Sequence, residues 1–300
     1  MEIKTILIFP FNDHLNLYVG KDLILAFSGL RQKFLFIDSR SKELNNLLNI
    51  VKNTKPDLIL SCRMNLPYIK EIKKISKTKI FLYDLDINRI DFLKELFPTY
   101  EYCDLILCNS WEMAKEYEKA GFKSKWLPVG VCTTRFYKPK GKIKQRLKFK
   151  ADIVFCGSID GHPNKQMRKK IVDILSKTDL NFKWFERVNY YLWKYLVNYW
   201  KINIGNNIGI GHMAGRDFKI MACGGFLLTN YKDPENESLG LKNNVHFVTY
   251  NEPEEIIEIA DFILKNESFR EKIKNQGFYE VRKNHSWAKR IEKILSLVEG

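Results

Sequence analysis

The sequence predicts an α/β protein made of two doubly wound domains facing a central cleft, and three observations carry that expectation. Short apolar runs alternate with longer mixed segments through the first part of the chain. A basic segment from Lys138 to Lys150 interrupts the alternation, which restarts at Ile153. A length of 300 residues is also comfortable for two domains of about 150 residues each. Strand–helix alternation implies a parallel sheet covered on both faces.

In the first half, Ile6–Phe9, Phe34–Ile37, Leu58–Leu60, Ile80–Tyr83 and Leu105–Cys108 are strand-like. Segments around Lys21–Gln32, Lys42–Lys52, Pro67–Lys77, Arg89–Phe97 and Trp111–Ala120 fit helices by the spacing of their apolar residues. In the second half, strands are predicted at Ile153–Phe155, Phe182–Phe185, Ile202–Ile204, Phe226–Thr229 and His246–Thr249. Helices are predicted over Gln166–Ser176, Ile256–Lys265, Phe269–Arg282 and Trp287–Val298, with another starting near Arg216.

Composition narrows the class. Hydrophobic content of 45% and charged content of 28% are those of a globular protein in water. No apolar run approaches the roughly 20 residues that cross a bilayer. The start, MEIKTILIFPFNDH, lacks the h-region and cleavage site of a signal peptide. A cytoplasmic protein is predicted, with the inner membrane face as a peripheral location. The six cysteines include no CxxC pair, so free thiols are expected rather than zinc.

The net charge of +15 bears on partners: nucleic acid, anionic lipid or a phosphorylated substrate. In KPKGKIKQRLKFK, from Lys138 to Lys150, every second residue is Lys or Arg, which in an extended chain puts the charges on one face. A solvated connector is one reading, and a strip binding an anionic membrane or nucleic acid is the other.

Ligands of open parallel sheets bind beyond the carboxyl ends of the strands. After the strand at Ile153 comes CGSIDGHPNKQ, where Gly157 and Ser158 allow close backbone approach and the next helix offers N–H groups to an anion. A plain turn is the alternative. Further on, INIGNNIGIGHMAGRDFKIMACGGFLLTN places Gly209, Gly211, His212 and Gly215 in a polar loop before a helix. Arg216 and Lys219, three apart, share a helix face and could neutralise a leaving diphosphate. His162, His246 and His285 are read as structural.

The segment RDFKIMACGGFLLT resembles the donor-site signature of group 1 GT-B glycosyltransferases, and especially the CgeB-like, spore-maturation-type subgroup. WLPVGVCTTRFYKP, IVFCGSIDG, VTYNEPEEIIEIADFIL and NHSWAKRIEKIL resemble further segments of that family in the same order, over roughly residues 100–300. The resemblance implies an acceptor domain over residues 1–146, with a helix at about 286–300 returning to it, and a nucleotide-sugar domain over residues 147–285. It brings Asp217 and Phe218 into the donor site. The chain departs from the family at Lys219, where a glutamate usually binds the ribose. A lysine cannot accept hydrogen bonds from a diol.

In the first half, His14 lies in FPFNDHLNLYVG after the first strand, and Asp84 and Asp86 lie in YDLDINR after the fourth. A carboxylate there could take the acceptor's proton, or simply cap a helix or turn. A retaining enzyme would not need that base. The predicted function is transfer of a hexosyl or pentosyl unit from a nucleotide-diphosphate sugar, without cofactor or metal, to an acceptor the sequence does not name. A DNA-base-modifying transferase and a non-catalytic nucleotide-sugar-binding relative are the alternatives.

Overall fold

The computed structural model describes residues 3–9, 19–39, 45–62, 66–85, 97–139, 149–208, 212–233 and 239–299. The chain forms two compact units, Met1–Cys132 together with Trp287–Gly300, and Thr133–Ser286.

The first unit holds β1 (Thr5–Phe9), β2 (Phe34–Asp38), β3 (Leu58–Ser61), β4 (Lys79–Asp84), β5 (Leu105–Cys108) and β6 (Ser124–Trp126) in one sheet, ordered β2-β1-β3-β4-β5-β6. Every pairing is parallel. β1, β3 and β5 are buried along their whole length, as continuous apolar runs such as TILIF and LILC require of strands covered on both faces. β2 lies at an edge and is only partly buried. Its helices among the described residues include α1 (Val19–Gly29), α2 (Leu47–Thr54), α3 (Leu66–Ile75), α4 (Phe97–Tyr100) and α5 (Trp111–Lys119). Most of the helix predicted at Arg89–Phe97 lies outside the described residues. β6 was not legible in the sequence, because SKW carries no apolar run and only Ser124 is buried.

The second unit holds β7 (Ile153–Cys156), β8 (Phe182–Phe185), β9 (Ile202–Ile204), β10 (Leu227–Thr229) and β11 (Val248–Thr249), ordered β11-β10-β9-β7-β8 and again all parallel. α6 (Lys165–Leu175), α7 (Tyr190–Tyr199), α8 (Gly215–Ala222), α9 (Glu255–Lys265) and α10 (Glu267–Asn284) belong to it. Ile153 and Phe155 of β7 and Ile202 and Ile204 of β9 pack with Ile171 and Leu175 of α6 and Ile256, Ala260 and Ile263 of α9 in one core. The sequence pattern missed α7, YYLWKYLVNY, because apolar and aromatic residues occupy most positions and leave no polar face to reveal a period.

From β7 the chain moves to β8 on one side and later to β9, β10 and β11 on the other. The order therefore reverses between β7 and β9, which opens a crevice beyond their carboxyl ends. The last helix, α11 (Trp287–Glu299), belongs to the first unit. Trp287 N–H donates to Val131 O at 3.1 Å, Arg290 Nε to Pro128 O at 2.7 Å, and the Trp287 ring meets Tyr83 edge-on at 6.0 Å.

Candidate functional site

β7 delivers the chain to Gly157 at the crevice, and two arginines close over that point. Arg216, from the first turn of α8, donates Nη1 to Cys156 O. Arg168, from the first turn of α6, donates Nη1 to Ser158 O at 2.7 Å. Both guanidiniums lie over the Phe155 ring, Arg216 at 5.6 Å and Arg168 at 5.7 Å. A Cβ at position 157 would stand 2.9 Å from Arg216 Nη1 and 3.4 Å from Arg168 Nη1, so glycine is what lets both cations approach.

The electrostatics are those of an incomplete charge set. Arg168 is buried, and its pKa falls to about 9, first through burial and then through Arg216. Its Nε, with Nε and Nη2 of Arg216, is buried without a hydrogen bond. Unpaired donors and like charges at close range are costly in a low-dielectric interior, and an anion between them relieves both. Asp217 offsets part of the charge: its Oδ1 lies 3.8 Å from Arg216 Nε. Burial pushes the Asp217 pKa up, against the pull of Arg216, Asn207, Thr229 and Arg168.

A buried polar network holds these groups in place. Asn207 Nδ2 donates to Asp217 Oδ2 at 2.7 Å and to Thr229 Oγ1 at 2.9 Å, while its Oδ1 accepts from Ala214 N–H at 3.0 Å. One side chain thus joins the loop after β9, the end of β10 and the start of α8. Asn164 Nδ2 reaches Asn206 Oδ1 at 2.9 Å, tying in the loop after β7. Gly205 lets the network close, since a Cβ there would meet Thr229 Oγ1 at 2.8 Å and Asp217 Oδ1 at 2.9 Å.

Two histidines complete the surroundings. His162 Nδ1 accepts from Asn164 N–H at 3.0 Å, and its pKa is lowered to about 4 by burial, Arg168 and Arg216. His212 is lowered to about 3 by burial, then by His162 and Arg216, and its Nδ1 is buried without a hydrogen bond. Both are neutral near pH 7, so the cationic character of the crevice comes from the arginines.

Of the residues singled out in the sequence, the structure gathers Gly157, Ser158, His212, Gly215, Arg216 and Asp217 at this strand end. Asp217 acts inside the network rather than on an open surface, being fully buried. Phe218 turns into the core, fully buried and stacked on His285 at 5.4 Å. The Lys219 ammonium lies over Phe136, 5.1 Å from the ring centre, whereas Arg216 lies over Phe155. The cation that joins Arg216 is therefore Arg168. Asp84, in the first unit, accepts a hydrogen bond from the Tyr117 hydroxyl at 2.8 Å. His14, Asp86, Gly209 and Gly211 lie outside the described residues, as does the segment 140–148 of the basic strip.

Sequence reasoning missed Arg168, Asn164, Asn206, Asn207 and Thr229. Arg168 sits in KQMRKK, where nothing separates a buried arginine from its solvated neighbours except position on the helix: Arg168 is buried on α6 with Ile171 and Leu175. The pair Asn206–Asn207, just beyond a short apolar strand, was the available signal for the network. Among the described residues no group of three or more His, Cys, Asp or Glu could hold a metal ion, and no helix is long and apolar enough to cross a membrane.

Two parallel, doubly wound sheets are a fold this chain shares with solved GT-B glycosyltransferases. Residues 155–296 match the family model described as glycosyl transferase-like. Among solved structures, the chain is similar to Anabaena HepE in complex with UDP-glucose, at 10% identity over 99% of each chain with a TM-score of 0.65. It is similar to a glycosyltransferase from Rickettsia africae, at 13% identity over 99% of this chain and 98% of that one with a TM-score of 0.64. An α-glucosyltransferase in complex with UDP and a mismatch-containing DNA matches at 9% identity over 99% of this chain and 100% of that one, with a TM-score of 0.70. At such identities the likeness is one of fold. No curated protein matches the chain in sequence.

Proposed function

We propose that this chain transfers a sugar from a nucleoside diphosphate donor to an acceptor hydroxyl, and that it stands nearest the spore-maturation-type subgroup through RDFKIMACGGFLLT. The observation that carries this reading is the pair of guanidiniums, Arg168 buried and Arg216 partly buried, over Gly157 at the crevice between β7 and β9. In transfer, the bond from the anomeric carbon to the β-phosphate oxygen breaks and its electron pair stays on that oxygen. The acceptor oxygen forms the new bond to the anomeric carbon. Negative charge grows on the diphosphate, where fixed cations with unsatisfied N–H groups stabilise it. The acceptor's proton goes to the leaving phosphate or to a carboxylate of the first unit, with Asp84 as the candidate. His14 and Asp86 stay candidates on sequence grounds.

UDP-sugars are the first donors to test, because two of the solved structures named above are complexes with UDP-glucose or UDP. Arginines take the place of a divalent cation in this scheme, so activity should survive EDTA; complete loss restored by manganese or magnesium contradicts that part. The test of the reading is a thermal-shift screen against nucleotide sugars, followed by assay of UDP release. Ligand that binds the folded state raises apparent stability by mass action. A rise in Tm with a nucleotide sugar and none with the free sugar is expected, with slow release of UDP. No shift with any nucleotide sugar contradicts the reading, and a shift without release with every acceptor tried favours a non-catalytic binding protein.

A further inference from the structure

β8 is an edge strand of the second sheet, and it presents Trp184 with 40% of its surface exposed. Indole is the largest apolar side chain, and its N–H usually finds a partner. Here the partner is Gly157 O, at 2.9 Å. That bond ties the ring to the residue over which Arg168 and Arg216 close. The strand register pairs Trp184 with Phe155. Residues paired across neighbouring strands leave the sheet on the same face, so Trp184 stands beside the ring under both guanidiniums. Among the described residues no aromatic ring packs on Trp184 and no cation lies over it. The molecule therefore holds a wide aromatic plane, fixed at one edge, 40% exposed, and one strand away from the two arginines.

We propose that Trp184 is the platform on which the nucleobase of the donor stacks, a proposal that rests on the nucleotide-sugar reading above. The diphosphate lies in the middle of such a donor, with a base on one side and a sugar on the other. The sugar must stay open to an acceptor, whereas the base needs only a fixed partner. An aromatic plane suits an aromatic ligand, and stacking tolerates any base because every base has a π-face. The hydrogen bond to Gly157 O sets the ring's position relative to the guanidiniums, so base and diphosphate are held at one spacing.

The test is calorimetric titration of the wild type, Trp184→Ala and Trp184→Phe with UDP, with UDP-glucose and with inorganic pyrophosphate, alongside tryptophan fluorescence on addition of UDP. In Trp184→Ala, UDP affinity should fall about 10-fold or more while pyrophosphate affinity is unchanged. Trp184→Phe should recover most of the UDP affinity. UDP should quench a part of the wild-type fluorescence that Trp184→Phe lacks although it still binds UDP. Equal loss of UDP and pyrophosphate makes Trp184 a prop for the Gly157 loop and overturns the proposal. Unchanged UDP affinity overturns it, as does loss confined to UDP-glucose, which puts the sugar on the ring. A wild type that binds pyrophosphate but not UDP keeps the anion site and removes the platform. A wild type that binds neither removes the donor reading and the platform together.

Discussion

The two sheets share a topology of parallel strands but finish their strand ends differently. In the first unit, Asp84 ends β4 already engaged, with Tyr117 donating to it from α5. Burial, then Asp84, raises the pKa of Tyr117, so the phenol stays protonated and remains a donor. In the second unit, β7 ends at a glycine beneath two arginines that have no full set of partners. One strand end has its carboxylate engaged by a neighbouring hydroxyl, and the other leaves guanidinium N–H groups without hydrogen bonds. Sheets of the same class thus acquire different chemistry from a few residues beyond the strands.

The sharpest way to break that contrast is to remove charge at each end. Arg216→Ala should lower turnover on the order of 10²-fold, the scale of losing one preorganised donor to developing charge, with little change in Tm because it also relieves repulsion on Arg168. Asp84→Asn should cost less, since the leaving phosphate can take the acceptor's proton. Steady-state kinetics of both variants check this. A larger loss for Asp84→Asn reverses the comparison and moves the main chemistry to the first unit.

The network beneath the arginines predicts a stability effect. Asn207→Ala strips a donor from Asp217 and from Thr229 and an acceptor from Ala214 N–H. With those buried groups left unsatisfied, the loss should be about 3 kcal/mol, read from urea unfolding. Unchanged stability would mean that water replaces the amide and that the network does not hold α8 in place.

Acid should expose the neutral histidines. The His212 pKa is lowered to about 3 in the folded protein from 6.5, so between these values the unfolded chain binds more protons and stability rises with pH. The contribution is whole above pH 6.5 and is lost as pH falls. By pH 5 the loss amounts to about 2 kcal/mol for so buried a group. His162, which is half-buried and lowered to about 4, acts in the same direction. Thermal melts at pH 7 and pH 5 should show His212→Asn to be less acid-sensitive than the wild type. Equal sensitivity would clear His212 of this role.

Lys219 sharpens the contrast with the smallest expected effect. Its ammonium lies over Phe136 rather than with the arginines. Lys219→Met should change UDP affinity by less than about 3-fold, because its ammonium is engaged with the Phe136 ring. Tighter UDP binding by Lys219→Glu would instead mark position 219 as a degraded ribose site.

Much of the fold was legible because its strands are continuous apolar runs. LILC and IVFC announce buried parallel strands, and the mixed segments between them carry helical spacing. The short edge strand β6 and the aromatic helix α7 were hidden for opposite reasons, one lacking apolar residues and the other lacking polar ones. At the site, the glycines and Arg216 were visible through the loop and its resemblance to a family. Arg168 was hidden because a buried arginine and a solvated one look alike in KQMRKK; only folding α6 against Phe155 separates them. Lys219 misled because spacing of three places two side chains on one helix face but does not fix where long side chains end. Trp184 was passed over as a strand residue, since a strand pattern does not say that its edge is open.

The central claim is that Arg168 and Arg216 together form the diphosphate site, and calorimetric titration tests it most directly. UDP and uridine are titrated into the wild type and into the double variant Arg168→Ala, Arg216→Ala. Loss of two charge-assisted contacts predicts a fall in UDP affinity of about 100-fold or more, down to the level of uridine, while uridine affinity is the same in both proteins. UDP binding to the double variant as tightly as to the wild type would contradict the account.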